Sequence, residues 1–594
     1  MTRKRHFRLG AERLKKFHSN NTSKEPWNKG NPAYSGERQP FTRPSLQQLP
    51  EGFNYLGTHR LRPAPTTSDD DSDYTEHIIG DINRVERLVN TGKDHWGQTK
   101  CMADLVYDIV QRKGLCVIAR LRCPKCGFIG EPIPQSEEVK TGSRGPKAGV
   151  LNDRLALAVV KTKAGPGDVK FILSCLDIRV PSCIFEKVNK LADKVISKNK
   201  ESMLANQHLC VATNGSQDVD VETDTSYNNR PQAGFEAGTQ AFAPAIDQKT
   251  GLVLSLSVAN KLCPIKGCNH ENCRKNFTDE ESIASAEKTL AKANLNKIDE
   301  AKVATVASVT SDASAMLAKV VTDHGKEKRR GIGHFLCLIH RMRTLQKALK
   351  KITLTSQRAP GVDKDVLMKK LSTSIRKRVY WEVVRGFRRG KSIQKVEEAV
   401  ENILNCFAGD HTKCRKVSLV CRELVEALNQ RRPPRYLPYG RYIELNENDI
   451  QNIRRVLGNY ATNGQLDKVK RLYNTNRSES MHHRVFTYAP KCTTYARNFE
   501  ALCHSAVLSS TYGTGRSTLM LAHKGAAARG PMSEYMRKVD ERMKKDRKRK
   551  ASKEYKTHRH IARKRKCNRG LQQVSAFRQL GRTSDHGYGI NPYN

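Results

Sequence analysis

The stretch VDVETDTSYNNR, residues 219–230, decides the fold of this chain. Its apolar and polar residues alternate, which is the pattern of a strand with one buried face. The alternation ends at Asp224, so a carboxylate is expected where the strand leaves the sheet.

Two other stretches deliver carboxylates in a similar way. The apolar run VATVASVTSDASA (303–315) ends at Asp312, and the helical stretch YNTNRSESMHHR (473–484) presents Glu479. Carboxylates are the hard oxygen ligands that Mg²⁺ and Mn²⁺ take. Together with Asp224, these acids predict a pocket that holds two divalent ions against phosphodiester oxygens. The alternative is that the aspartates are helix or turn caps, since Asp312 lies where an N-cap belongs.

The composition points to a nucleic-acid partner. The 594 residues include 106 Lys and Arg against 60 Asp and Glu, a formal net charge of +46. Such a surplus favours a polyanion as partner, and DNA or RNA is the simplest one. No run approaches the length of about 18 apolar residues that a membrane span needs. No amphipathic helix with a large apolar face stands out either, so a membrane is not expected as partner.

Cysteine usage and the first residues indicate an intracellular protein. The N-terminus MTRKRHFRLGAERLKKFH is basic but has no apolar core, unlike a secretory signal. The 17 cysteines are therefore expected to be metal ligands and reduced core thiols rather than a disulfide framework.

The order of elements predicts an α/β fold with a ribonuclease-H-like mixed sheet and a helical insertion. A mostly helical upstream module should precede the sheet, and disordered basic tails should flank the chain. The predicted segments are a disordered basic region (1–75), the upstream module with its CxxC motif and a possible DNA-binding role (76–210), the first part of the core (211–361), the insertion (362–460), the last part of the core with Glu479 (461–525) and a largely disordered basic tail (526–594).

Local patterns place the elements within these segments. In the upstream module, a helix is expected over MADLVYDIVQRKG (102–114) and a strand over the residues that follow it. Strands are predicted over 217–224, 234–246 and 251–260, the last two joined by the turn DQKTG. A capping box of Thr278 and Glu281 predicts the start of the next helix. This helix is followed by a strand, a helix, a short strand and a final helix.

Three groups of soft ligands predict zinc. The loop LCPIKGCNHENCRKN (262–276) offers four thiolate and imidazole ligands at close spacing, which suits tetrahedral Zn²⁺. The motifs CLIH and HTKC each supply a pair two residues apart, and joining them would attach the insertion to the sheet. The candidate ligands are Cys263, Cys268, His270 and Cys273 in the loop, and Cys337, His340, His411 and Cys414 in the two pairs. Buried thiols and core histidines are the alternative for the pairs.

The third group is the motif RCPKCGF, in which Cys123 and Cys126 form half of a zinc site. His95 and Cys101 are candidate partners, although nothing in the sequence fixes their distance. A redox CxxC is disfavoured because the motif does not lie between a strand and a helix start.

Two basic clusters near the C-terminus, KKDRKRK (544–550) and RKRK (563–566), fit a bipartite nuclear address, a DNA-phosphate contact, or both. The alternative is a solvated charge run. The segment GTGRST (513–518) lacks the spacing of a phosphate-binding loop, so no nucleotide cofactor is expected.

The ensemble of motifs resembles the Mutator-like transposases. DTSYNNR is similar to that family's D-G-T-W-x-x-R, and CLIH with the helix after it resembles its C-x-x-H segment. The resemblance runs from about residue 78 to 525, and its other parts are the upstream helices (152–188), the strand LVLSLSVANKLC (252–263) and the segment NTNRSESMHHRVFTYAPK (474–491). The chain departs from the family in having Thr225-Ser226 for Gly-Thr and one acid, Asp312, in place of a D-G-D-S motif.

The resemblance implies a DDE transposase that uses Mg²⁺ or Mn²⁺ held by Asp224, Asp312 and Glu479. It would cleave double-stranded DNA at the ends of its element and join the freed 3′-hydroxyl to target DNA, as a homo-oligomer in the nucleus. Two alternatives stay open: a domesticated copy that binds DNA without cleaving it and acts as a chromatin or transcription factor, and a structure-specific nuclease or RNA-cleaving enzyme that has no joining step.

Overall fold

The computed structural model describes residues 77–563 and 565, apart from 141–146, 163, 180, 183, 229–237, 264–267, 269–272, 357–363, 422–442, 523–529 and 564. The predicted disordered region 1–75, the ligand His270, the start of the strand predicted over 234–246 and the last basic residue Lys566 lie outside the described residues.

The upstream module begins with a helix and a small antiparallel sheet. Helix α1 (Ile82–Thr99) packs on strands β1 (Val106–Lys113), β2 (Cys116–Arg122) and β3 (Ile133–Pro134), which lie in the order β1-β2-β3. The helix predicted over 102–114 is therefore wrong.

The misassigned segment is a strand because of the turn that follows it. Lys113 pairs with Cys116 across a two-residue turn, and Gly114 in that turn has a φ of 64°. Glycine at the first central position is the signature of a hairpin turn. An added Cβ at Gly114 would also lie 2.5 Å from the Asn152 side chain, so the packing itself requires glycine.

Helices complete this module and lead into the core. A two-stranded sheet comes first, and three helices follow. The elements are β4 (Glu138–Val139), β5 (Ala148–Gly149), α2 (Val150–Lys161), α3 (Pro166–Ser174) and α4 (Ile184–Asn214). Helices α2 and α4 lie in the upstream module that the sequence predicts to be mostly helical.

A six-stranded mixed sheet forms the centre of the chain. Its strands are β6 (Asp218–Thr223), β7 (Ser226–Tyr227), β8 (Gln240–Asp247), β9 (Val253–Asn260), β10 (Thr305–Ser311) and β11 (Gly333–Leu336). The order is β11-β10-β6-β8-β7, with β9 on β8. β6 runs antiparallel to β8 and parallel to β10, and β10 runs parallel to β11. The α/β class and the mixed sheet are as predicted.

Helices cover both faces of this sheet. Val219 and Val221 on one face of β6 pack against α5 (Ala286–Glu300) and α6 (Ala315–Glu327). Phe242 and Ile246 of β8 point the other way, towards helices near the C-terminus. This is the two-residue alternation of a sheet buried on both sides.

The capping box predicted for α5 is absent. A short 3₁₀ turn, Ile283–Ser285, precedes the helix, and the Ser282 side chain accepts from the Ala284 amide. Glu281 instead accepts a hydrogen bond from Ser285 Oγ at 2.9 Å, so neither residue of the predicted box caps α5.

Among the described residues of 338–467, the regular elements are all helices. The helices are α7 (Leu338–Lys350), α8 (Lys364–Arg388), α9 (Ile393–Glu401), α10 (Ile403–Ala408), α11 (Cys414–Val417), α12 (Glu447–Ala461) and α13 (Asn463–Asp467). Their apolar residues form one core, which also contains Leu345 and Leu349 of α7. The insertion therefore shares its core with the helix that follows β11.

The chain closes with α14 (Asn476–Tyr488), α15 (Phe499–Tyr512), α16 (Thr514–Leu521) and α17 (Pro531–Ala551). Part of the tail expected to be disordered is thus the helix α17, none of whose residues is buried. Among the described residues, no helix combines the length and apolar character that a membrane span requires.

The GTGRST segment at the start of α16 holds an internal carboxylate. Asp540 of α17 accepts from the Gly515 and Arg516 amides, both at 2.8 Å. Carboxylates favour such helix N-termini. Gly515 also permits close approach, since a Cβ there would meet the Met536 carbonyl.

Candidate active site

The structure brings the three predicted acids together at one edge of the sheet. Asp224 follows β6 and Asp312 follows β10, and these strands are parallel neighbours. Glu479 lies in the first turn of α14. Their side chains are 24%, 38% and 40% exposed, so the three carboxylates line an open, acidic cup rather than a closed core.

The negative charges of Asp312 and Glu479 act on the carboxyl group of Asp224. The pKa of Asp224 is raised to about 7, first by burial and then by the negative charges of Asp312 and Glu479. Glu287 at the start of α5 adds a further negative charge and has a raised pKa itself, mainly through burial. Carboxylates arranged in this way repel one another until a cation binds among them.

His340 of α7 links two of the acids. Its Nδ1 lies 2.6 Å from Asp312 Oδ1 and its Nε2 lies 3.1 Å from Glu479 Oε1. Arg343, one turn further along α7, lies 3.4 Å from the same Glu479 oxygen. These basic groups offset part of the negative charge of the cup.

The alternative of Asp312 as a helix cap does not fit the structure. The N-cap of α6 is Ser314, whose side chain accepts from the Leu317 amide. Asp312 lies two residues earlier and turns towards His340.

A carboxylate that the sequence analysis missed holds α14 in place. Glu222, on the same face of β6 as Asp224, is 1% exposed. Its Oε1 accepts from the Ser478 amide at 2.6 Å and from Ser478 Oγ at 3.2 Å. The N-cap residue Thr475 makes no side-chain cap bond, so Glu222 supplies the cap from the strand on which α14 packs. Burial raises the pKa of Glu222 to about 7, although the Ser478 bonds oppose this.

Asp220, the next acid on this face of β6, also accepts hydrogen bonds from the late segment. Asp220 accepts from Arg471 Nη1 and from the Tyr473 hydroxyl, both at 2.8 Å. Its Oδ1 also accepts a hydrogen bond from Ser308 Oγ of β10. Alternate residues of β6 therefore hold successive parts of the segment 471–482.

His482 completes this attachment at a break in the sheet. Thr223 pairs with Ala245 and Ser226 pairs with Phe242, which places Asp224 opposite Pro244. Pro244 has no N–H to donate to the Asp224 carbonyl. His482 Nε2 donates to that carbonyl instead, at 3.0 Å.

This role of His482 requires a neutral ring with the proton on Nε2. Burial lowers the pKa of His482 to about 4. The 3.7 Å approach of its Nδ1 to Asp224 Oδ2 is therefore not an ion pair. His482 is a neutral hydrogen-bond donor that fixes the end of β6 against α14.

The CxxC motif has four ligands around it. The ligand atoms of His95, Cys101, Cys123 and Cys126 all lie within 4.8 Å of one another. His95 Nε2 is 3.2 Å from Cys126 Sγ, and the sulfurs of Cys101 and Cys123 are 3.9 Å apart. The two candidate partners from the sequence thus come from the end of α1 and the residues after it.

The cysteines of the loop 262–276 also converge. Cys263, Cys268 and Cys273 form one group, with the last two sulfurs 3.3 Å apart.

The predicted joint site of Cys337, His340, His411 and Cys414 is not formed. Cys337 and His340 group with Asp312 in the acidic cup, whereas His411 and Cys414 group with Cys406 and Cys421 in the insertion. The equal spacing of the two pairs predicts a joint site, but the partners of HTKC are close to it in sequence.

A model of a known protein family matches the chain. The model described as Mutator-like transposase matches residues 58–421, which is more than half of the chain. The matched stretch contains Asp224 and Asp312 and ends before Glu479. No curated protein matches the chain.

The acidic cup gives a prediction for Asp224→Asn in the metal-free protein. The pKa of Asp224 is about 7 in the folded state against 3.8 ordinarily, so the folded protein binds this proton more tightly. Its stabilising effect is full at low pH and is lost as the pH rises from about 4 to 7. In EDTA at pH 8, Asp224→Asn should therefore be more stable than the wild type, by about 2 kcal/mol.

Urea unfolding at pH 5 and pH 8 measures this difference. The gain in stability should shrink at pH 5, and Mg²⁺ should stabilise the wild type more than the variant. A variant less stable than the wild type at pH 8 in EDTA would contradict the electrostatic interpretation of the cup.

The cap of α14 gives a second prediction. At pH 5, below the raised pKa of Glu222, Glu222→Ala leaves the Ser478 amide without an acceptor and should lower the free energy of unfolding by about 1–3 kcal/mol. Glu222→Gln retains an oxygen acceptor and should lose less. Chemical denaturation measures both, with the exposed Glu398→Ala as the control expected to change little. Equal losses for Ala and Gln would argue against a capping role.

Proposed function

Because the chain belongs to the Mutator-like transposase family, we propose that it is a metal-dependent DNA transposase whose active site is the cup of Asp224, Asp312 and Glu479. It cleaves DNA at the ends of its element and joins the freed 3′-hydroxyl to target DNA. The observation that carries this proposal is the convergence of three acids from two parallel strand ends and one distant helix.

The sheet supports a ribonuclease-H-like core. Strands β6, β8 and β9 form an antiparallel unit, and β10 and β11 extend it in parallel on the other side of β6. In such a core, acids at the ends of the central strand and its parallel neighbour face the same side as a carboxylate from a later helix.

The donor set fits divalent metal ions. Its carboxylates are partly exposed, repel one another and come from three different elements. Oxygen donors of this kind suit Mg²⁺ or Mn²⁺. When bound, two such ions supply activation of the attacking oxygen and stabilisation of the leaving oxygen.

The residues around the cup position these ligands. Glu222 and His482 fix α14 on β6, so Glu479 stays beside Asp224. His340 and Arg343 contact Glu479 and limit the repulsion before metal binds. The described residues thus carry both the ligands and the groups that hold them.

DNA binding would draw on the basic surplus. The cluster KKDRKRK lies at the end of the exposed helix α17. Contacts between these side chains and phosphates would make binding strongly dependent on salt. The same cluster, with the basic residues after it, would serve as the nuclear address, and the chain would act on paired DNA ends as a homo-oligomer.

The zinc proposal for the upstream module rests on four converging ligands. We propose that His95, Cys101, Cys123 and Cys126 hold one Zn²⁺, which ties α1 to the strand hairpin. Cys263, Cys268 and Cys273 supply three ligands of a further site, for which His270 is the proposed fourth.

The catalytic proposal predicts the behaviour of Asp312→Ala. Loss of this ligand should reduce metal-dependent nicking of supercoiled DNA more than about 100-fold. Substitution of a residue that only hydrogen-bonds to a metal ligand already reduces activity about 10–100-fold. Asp323→Ala, an exposed acid on α6, is the control and should keep wild-type activity.

Two further outcomes separate the alternatives. Wild type and Asp312→Ala that behave alike in Mg²⁺ would indicate a DNA-binding protein without catalysis. Cleavage without joining of a pre-cut end to target DNA would indicate a nuclease.

The upstream zinc site predicts the effect of Cys126→Ser. The purified protein should contain one zinc equivalent less than the wild type by plasma mass spectrometry. Cys175→Ser, an exposed cysteine outside every group of possible ligands among the described residues, should lose none. Unchanged zinc in Cys126→Ser would rule out this site.

A further inference from the structure

We infer that the helical insertion contains a structural zinc site formed by Cys406, His411, Cys414 and Cys421. The four ligand atoms lie within 4.8 Å of one another, and they come from α10, α11 and the residues on either side of α11. This site is separate from the acidic cup and does not depend on the proposed catalysis.

The distances match a tetrahedral zinc centre. Cys406 Sγ lies 3.6 Å from Cys421 Sγ, and His411 Nδ1 lies 3.6 and 3.3 Å from these two sulfurs. Zn–S bonds of about 2.3 Å and Zn–N bonds of about 2.0 Å give tetrahedron edges of about 3.5–3.8 Å. The observed edges therefore leave room for one ion at the centre.

Burial favours a metal site over loosely placed thiols. Cys406, Cys414 and Cys421 are each at most 1% exposed and form a cluster of their own, apart from the apolar core beside them. His411 is more exposed and closes the solvent side. A histidine with Nδ1 aimed between two buried sulfurs is arranged as a ligand rather than as a core residue.

The surroundings suit the charge of such a centre. Binding of Zn²⁺ by three thiols and one neutral imidazole releases three protons and leaves a net charge of −1. Asn402 Nδ2 donates to Cys414 Sγ at 3.2 Å, which stabilises a thiolate. Arg378, 1% exposed, interacts electrostatically with Cys406 and Cys421.

The buried arginine is itself held close to the ligands. Its Nε donates to Glu382 at 2.9 Å and its Nη2 to Ser418 Oγ at 2.8 Å, three residues before Cys421. Its Nη1 has no hydrogen-bond partner within the described part of the chain. A buried cation with a spare donor is thus placed beside the anionic centre.

Zinc would give these short elements a stability that they lack alone. Helices α10 and α11 have 6 and 4 residues, far below the length at which an isolated helix persists. Yet Ile403 and Phe407 of α10 belong to the core of the insertion. One ion bound to both helices and to Cys421 would fix this edge of the core.

The experiment measures zinc in the full-length protein, purified under reducing conditions and analysed by plasma mass spectrometry. His411→Ala should contain one equivalent less than the wild type, whereas His411→Cys should retain it, because a fourth thiolate is an equally good ligand. Cys503→Ser, a buried cysteine outside every group of possible ligands among those described, is the control and should lose none.

A second measurement needs no variant. In the wild type, a chelator should expose Cys414 to alkylation, while the exposed Cys492 reacts with or without chelator. Wild-type zinc content in a folded His411→Ala would overturn the proposal, and so would a Cys406–Cys421 disulfide in the reduced preparation. Loss of this zinc with nicking retained would leave the catalytic proposal intact.

Discussion

The structure depends on the attachment of a late segment to one early strand. The acidic face of β6 presents Asp220, Glu222 and Asp224 at alternate positions, and each meets a different part of residues 471–482. The first two bind through their carboxylates, and the third binds through its backbone carbonyl. The Asp224 carboxylate is consequently left for the cup, and Glu479 is held within its reach.

The attachment of residues 471–482 to β6 places several carboxylates in buried or partly buried positions. Buried carboxylates destabilise a protein unless they are paired or protonated. Glu222 is satisfied by a helix N-terminus, and Asp220 by an arginine and a tyrosine. The acids of the cup have only partial compensation from His340 and Arg343. The site is therefore the place where the fold retains unneutralised negative charge, which a cation can relieve.

The elements that could be predicted from the sequence are those that depend on local sequence pattern. Strand alternation and helical spacing located most of the central strands and helices, together with the three acids at their ends. Glu222 could have been found from the same alternation, since VDVETD places it on the face of Asp224. Its partner Ser478 could not, because contacts across some 250 residues depend on tertiary packing that single-chain patterns do not encode.

The wrong predictions also arose where local sequence pattern does not determine the structure. The segment 102–114 has helical spacing, but the turn at Gly114 makes it a hairpin strand. The HTKC pair was assigned to CLIH because both have the same spacing, whereas its partners Cys406 and Cys421 lie nearby in sequence.

Helix α7 connects the insertion to the cup. Leu345 and Leu349 on one face pack in the core of the insertion, and His340 and Arg343 on the other face contact the acids. Because a close-packed core transmits displacement, the insertion helps to set where His340 lies, and so takes part in shaping the site.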